Sequence, residues 1–190
     1  SSPCGAFFFV QLCTLPVKMQ RRQWAGLARN QAARRIQGVA MEPRQVRSAA
    51  DARAIVDERG INHVKVGAFD IDGIMRGKYI SREKFHSALD GGFGFCDVVL
   101  GWDCQDQLYD NVKYTGWHTG YPDAPVRVLP DTCRTLPFED NGLFFLGEFS
   151  PPGEAVCPRG LLRRVLERGR AMGFEAYVGF EYEFFVFKET

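Results

Sequence analysis

Apolar positions change period several times along this chain, and each change marks an element. From Ser48, the positions Ala49, Ala52, Ile55 and Val56 fall near helical spacing and end at Gly60, predicting a short Ser-capped helix over 48–59. Period-two alternation follows in HVKVGAFDIDGIMRGKYIS. Two such runs around Asp72-Gly73 predict a β-hairpin. Ser81 then caps a second predicted helix, with Phe85 and Leu89 on its inner side and Gly91-Gly92 ending it. Little packing is expected before about residue 45.

From Gly92 to about Pro125 the periodicity fades into Gly, Asp, Asn, Tyr and Trp, predicting a long irregular loop of functional type. Three strands are predicted after it, at Val126 to Leu129, Thr135 to Phe138 and Leu143 to Phe149, before a break at Pro151-Pro152-Gly153. A helix starting near Pro158 and ending at Gly173 comes next. Its apolar stripe is Leu161, Leu162, Val165, Leu166 and Met172. Arg159, Arg163, Arg164, Glu167, Arg168 and Arg170 form the expected solvent side, read as a solvated face and not a phosphate cradle.

The last predicted strand, Phe174 to Phe187, carries the sharpest chemistry. Alternation puts Glu181 and Glu183 on one face and Val178, Phe180, Tyr182, Phe184 and Val186 on the other. Two carboxylates roughly 7 Å apart on one strand face repel unless a hard cation shares them. The bland alternative is the wet face of an edge strand.

Composition narrows the picture. A chain of 190 residues with 45% hydrophobic and 13% aromatic residues can build one core. The net charge of +1 hides an asymmetry: residues 1–47 carry eight Lys or Arg against one acid, so the body is mildly acidic. No basic stripe with interleaved aromatics occurs there, which argues against nucleic acid. Cys4, Cys13, Cys96, Cys104, Cys133 and Cys157 are irregularly spaced, as are His63, His86 and His118, so zinc is not supported and reduced thiols are expected. The apolar run Gly5 to Val17 is too short to span a bilayer. The Arg- and Ala-rich stretch after it reads as an extraneous, transit-like or disordered tail over 1–47, and a cytoplasmic location is expected.

Three stretches give the chain a family likeness: DIDGIMRGKYI, RVLPD and PRGLLRRVLERGRAMGFEAYVGFEYEFFVF. Over about residues 48–190 it resembles the N-terminal part of the glutamine synthetase family, including members that ligate glutamate to other amines. The specific motif is the helix leading into Gly-x-Glu-x-Glu-Phe-Phe-x-Phe. The resemblance implies an α+β chain: a β-grasp domain over 48–150, then the first helix and strand of a truncated catalytic domain over 151–190. It implies Glu181 and Glu183 as ligands of Mg2+ or Mn2+, and ATP as co-substrate. Glutamate would be activated as γ-glutamyl phosphate, and ammonia or an amine would displace phosphate.

The same resemblance implies a homo-oligomeric ring of ten or twelve subunits, in which the loop before RVLPD enters the neighbouring subunit's active site. Trp117 matches the aromatic near the nucleotide, and Asp123 sits where the family has an acid shortly after it. Asp103, Asp106 and Asp110 compete for the ammonium-site aspartate; Asp103 is the first choice. The loop is longer than in ammonia-using bacterial members, which leaves the amine open. The segment alone is expected to be inactive; the alternative reading is a non-catalytic structural or regulatory binding module of the same fold.

Overall fold

In the computed structural model, residues 41–181 are described. They fall in two compact units, one covering the described residues up to Val165 and the other beginning at Leu166. Packing starts earlier than the sequence pattern suggests. A 3-10 turn, Pro43–Gln45, buries Pro43 and leads to Val46, which is fully buried.

Helix α1 (Ala49–Glu58) begins at Ser48, whose hydroxyl accepts from the Asp51 amide at 3.1 Å while Asp51 accepts from the Ser48 amide. This reciprocal cap satisfies two otherwise orphaned donors. Strands β1 (His63–Phe69) and β2 (Met75–Ser81) form the expected hairpin. Helix α2 (Arg82–Gly91) is capped by Ser81 and ends at Gly92, at φ 73°. A side chain there would also strike the Val126 carbonyl at 2.6 Å.

The expected loop starting at Gly92 is partly ordered structure. Strand β3 (Phe93–Cys96) and a 3-10 turn (Asp97–Leu100) occupy its start. Glycines hid the strand: Phe93 and Phe95 alternate inward, but four residues are too few for a periodic signal. Strand β4 (Asp123–Thr135) joins the first predicted strand to the residues beyond it, and the second predicted strand keeps only Thr135. A bulge between Leu129 and Arg134 explains the misreading, because it breaks the alternation within one strand. Thr132 fills that bulge, accepting from the Leu146 amide at 2.8 Å. Strand β5 (Leu143–Phe149) falls where expected.

The sheet order is β2-β1-β5-β4-β3, with β1 and β5 parallel and the other pairs antiparallel. Both helices pack on it: Ile55, Val56 and Phe85 are fully buried, and the Phe85 and Phe145 rings lie 4.7 Å apart. Each such aromatic contributes roughly 2–3 kcal/mol of burial.

Four cysteines among the described residues are free thiols. Burial pushes the Cys133 thiol up to about 11, although Arg59 and Arg134 pull the other way. At pH 8 it is therefore protonated and shielded, whereas Cys104 is exposed. A maleimide or disulfide reagent at pH 8 should label Cys104 in the native chain and Cys133 only after denaturant is added. Equal native labelling rates, read by mass spectrometry, would contradict this packing.

Helix α3 (Pro158–Ala171) falls where expected, and Arg164, Glu167, Arg168 and Arg170 are exposed as expected, but the rest of the face pattern differs. Leu161, Leu162 and Val165 are each more than half exposed, while Arg159 and Arg163 turn toward β5. The reason is Glu148 on β5, only 3% exposed: a buried carboxylate must be paired, and it recruits those arginines. Residues 174–181 form no strand, contrary to expectation. An extended segment needs a ladder partner, and the described residues offer it none. Glu183 and the rest of that predicted strand, residues 182–187, lie outside the described residues, as do residues 1–40.

Candidate functional site

The hairpin turn organises the loop that follows β3. Asp70, at the end of β1, is fully buried. Its Oδ1 accepts from the amides of Asp72 at 3.0 Å and Ile74 at 2.8 Å, and its Oδ2 accepts from Arg76 Nε at 2.8 Å. An aspartate opening a tight turn can make these local bonds because its side chain reaches the amide two residues on. Burial works against the charge on Arg76, yet Asp70 and then Asp106 outweigh it, holding the guanidinium's pKa above its ordinary value.

Arg76 reaches from hairpin to loop. Its Nη1 pairs with Asp106 Oδ1 at 2.7 Å, and its guanidinium lies 5.0 Å from the centre of the Trp102 ring. Two further ties act in parallel: the Cys104 amide donates to Asp72 Oδ2 at 2.9 Å, and the Ile71 amide donates to the Val99 carbonyl at 3.1 Å. Asp106 sits at φ 62°, a conformation that aspartate tolerates at modest cost and that the Arg76 pair helps to hold.

The three competing aspartates occupy different environments. Asp103 Oδ1 accepts from the amides of Gln105 at 2.8 Å and Gln107 at 2.9 Å, closing a local turn. Asp106 is engaged by Arg76. Asp110 is exposed and makes no hydrogen bond or ion pair with the described residues. Its carboxylate is the one whose oxygens are not used by the loop's own fold.

The loop's far end is anchored as well. Thr115, fully buried, donates to Asp97 Oδ1 at 2.6 Å, and Asp97 is 3% exposed. Gly101 makes room for this contact, because a Cβ there would meet the Thr115 methyl at 2.5 Å. Burial, and then the Asp97 charge, raise the Tyr114 pKa. The turn at 116–120 is closed by Gly116 and Thr119, and at its tip Trp117 is 84% exposed. The Trp117 ring meets Tyr121 edge-on at 5.4 Å. Asp123 opens β4, its side chain lying over Gly94. An exposed carboxylate and an exposed indole on a loop pinned at both ends can bind a cation and stack on a planar ring without first ordering the backbone.

Sequence reasoning quoted the DIDGIMRG motif but did not single out Asp70 or Arg76; the available signal was an aspartate followed by a hairpin turn. Glu148 was missed because it sits in an otherwise apolar strand. Glu181 is exposed. Among the described residues no three His, Cys, Asp or Glu side chains come together to hold a metal ion, so these residues alone do not compose a centre for Mg2+ or Mn2+. No helix among the described residues is long and apolar enough to cross a membrane.

Comparison with known proteins bears on the whole body and on its end. Residues 155–190 match the family model described as the catalytic domain of glutamine synthetase. A type-1 glutamine synthetase of Dictyostelium discoideum is 44% identical over 130 residues, which is 67% of this chain and 25% of that protein. A glutamate–isopropylamine ligase of a Pseudomonas species is 33% identical over 145 residues, 73% of this chain and 31% of that protein. A gamma-glutamylethanolamide synthetase of Streptomyces coelicolor is 31% identical over 144 residues, 74% of this chain and 31% of that protein. The chain thus spans about a quarter to a third of the length of these curated relatives. Matches of this extent reach well beyond the catalytic-domain stretch into the sheet and its hairpin, and the chain belongs to the glutamine synthetase family.

Proposed function

We propose that this chain is the leading part of an ATP-dependent glutamate–amine ligase. Similarity to enzymes named as a glutamine synthetase, a glutamate–isopropylamine ligase and a gamma-glutamylethanolamide synthetase carries the reading, since what varies among these names is the amine side of the product. The five-stranded sheet with α1 and α2 is the β-grasp domain, over about 48–150, and 151–190 opens the catalytic domain. In the complete ring-forming enzyme, a glutamate γ-carboxylate oxygen attacks the γ-phosphorus of ATP and ADP departs. The amine nitrogen then attacks the acyl carbon, phosphate leaves, and the surplus proton passes to a carboxylate beside the amine.

Asp110 takes that last role in place of Asp103. Its free, exposed oxygens can accept hydrogen bonds from an ammonium and lower its energy beside the site. Trp117 supplies a face for the adenine across a subunit boundary. Glu181 and Glu183 contribute oxygen donors to a hard divalent ion, which when bound neutralises charge on the transferring phosphoryl. Further ligands for that ion come from outside the described residues.

The test is product analysis. The whole protein carrying this chain, given ATP, glutamate and in turn ammonia, isopropylamine and ethanolamine, should form one γ-glutamyl amide per phosphate released with at least one of them. Phosphate release without amide, with every amine, would overturn the reading. Asp110→Asn should raise the KM for the amine about tenfold, from loss of a charge-assisted hydrogen bond, and leave the glutamate KM unchanged. A larger amine effect from Asp103→Asn would return the role to Asp103.

A further inference from the structure

Arg44, Arg47, Asp131 and Arg134 line an open cleft of about 390 Å³. Two segments build it: the turn entering α1 brings Arg44 and Arg47, and the bulged stretch of β4 brings Asp131 and Arg134. A bulge re-aims side chains that regular pairing would alternate between faces.

Each of two guanidiniums spends one nitrogen on backbone. Arg47 Nη1 donates to the carbonyls of Arg44 and Val46, both at 2.8 Å. Arg134 Nη1 donates to the Cys133 carbonyl at 2.6 Å and to that of Asp131 at 3.4 Å. A guanidinium has five donors in a fixed fork, so this anchoring orients the groups while leaving most of their donors free. Among the described residues no carboxylate lies within ion-pair distance of Arg44, Arg47 or Arg134. Three like charges around one cleft repel one another, and a bound oxyanion removes that cost while matching the fork geometry.

We propose that this cleft binds a small oxyanion, carboxylate or phosphate, held by Arg44, Arg47 and Arg134 and opposed by Asp131. The opposition gives the proposal a directional test. Removing the Asp131 charge strengthens binding, an outcome that damage to the fold cannot imitate.

The experiment titrates the full chain with inorganic phosphate and, separately, with succinate, at constant ionic strength balanced with chloride, following arginine and backbone signals by NMR. One saturable site is expected with either anion. Saturation by phosphate alone assigns a phosphate-bearing ligand, and by succinate alone a carboxylate; both outcomes support the site. Arg47→Gln and Arg134→Gln should each weaken binding about tenfold, and Asp131→Asn should tighten it severalfold. No saturation with either anion, the same response to chloride alone, or an unchanged affinity in Asp131→Asn would overturn it. The assay needs no ligase turnover, so its result stands whatever the outcome of the amine panel.

Discussion

Asp70→Ala should lower the unfolding free energy by about 3–5 kcal/mol, the cost expected when one partner of a buried ion pair is removed. Asp70 is fully buried and Arg76 is 21% exposed, so the cation left behind cannot fully recover its hydration. The loss also orphans the Asp72 and Ile74 amides that Asp70 now satisfies. A domain of this size has about 5–15 kcal/mol in total, so a third or more of its stability is at stake. Asp70→Asn keeps an acceptor for the two amides and should cost less. Urea unfolding gives the free energies. Hydrogen exchange should show the Cys104 amide, bonded to Asp72, losing protection with the turn. A cost below about 1 kcal/mol would mean that Arg76 finds another partner and that the hairpin does not hold the loop.

That prediction depends on a residue the sequence pattern displayed without explaining. Local signals were sufficient for α1, the hairpin and α2, because each has a capping serine or a turn glycine beside a clean apolar period. They failed where one strand contains its own interruption. The bulge in β4 made one element read as two, and the shortness of β3 made an element read as a loop. Both errors concern strand limits and number, whereas the hairpin and β5 fall where expected.

The site was legible in a different way. Fading periodicity put Asp103, Asp106, Asp110 and Trp117 on one loop and the family resemblance made them candidates, but only the three-dimensional contacts separate the aspartates. Asp103 closes a turn through Gln105 and Gln107, Asp106 serves Arg76, and Asp110 is left open. Hydrogen-bond commitments of this kind depend on backbone geometry several residues away, which a pattern of residue types does not contain. The Glu181–Glu183 pair was legible as a motif, and its second member lies outside the described residues.

Two arginines, Arg159 and Arg163, leave the expected solvent side of α3 for a reason that yields the second large prediction. Amphipathic reading assigns charged side chains to solvent, yet a buried carboxylate draws arginines inward because its desolvation must be offset. Glu148 is bonded to Arg127, and Arg159 and Arg163 approach it at 3.5 and 3.6 Å. Arg163 also pairs with Glu154, and Arg164 donates to the Glu154 carbonyl at 2.9 Å, so the first turns of the helix are gripped from two sides. Glu148→Ala should therefore cost about 2–3 kcal/mol. This is less than for Asp70, because Arg127, Arg159 and Arg163 are 51%, 35% and 36% exposed and can turn partly to water. Exchange should accelerate at the Leu161 amide and its neighbours in α3, while amides of α1 and the hairpin keep their protection relative to global stability. Glu154→Ala, which breaks a half-exposed pair, should cost under about 1 kcal/mol. If the two variants cost the same, the arginines hold α3 by their backbone contacts and stem packing, and the buried carboxylate does not set its orientation.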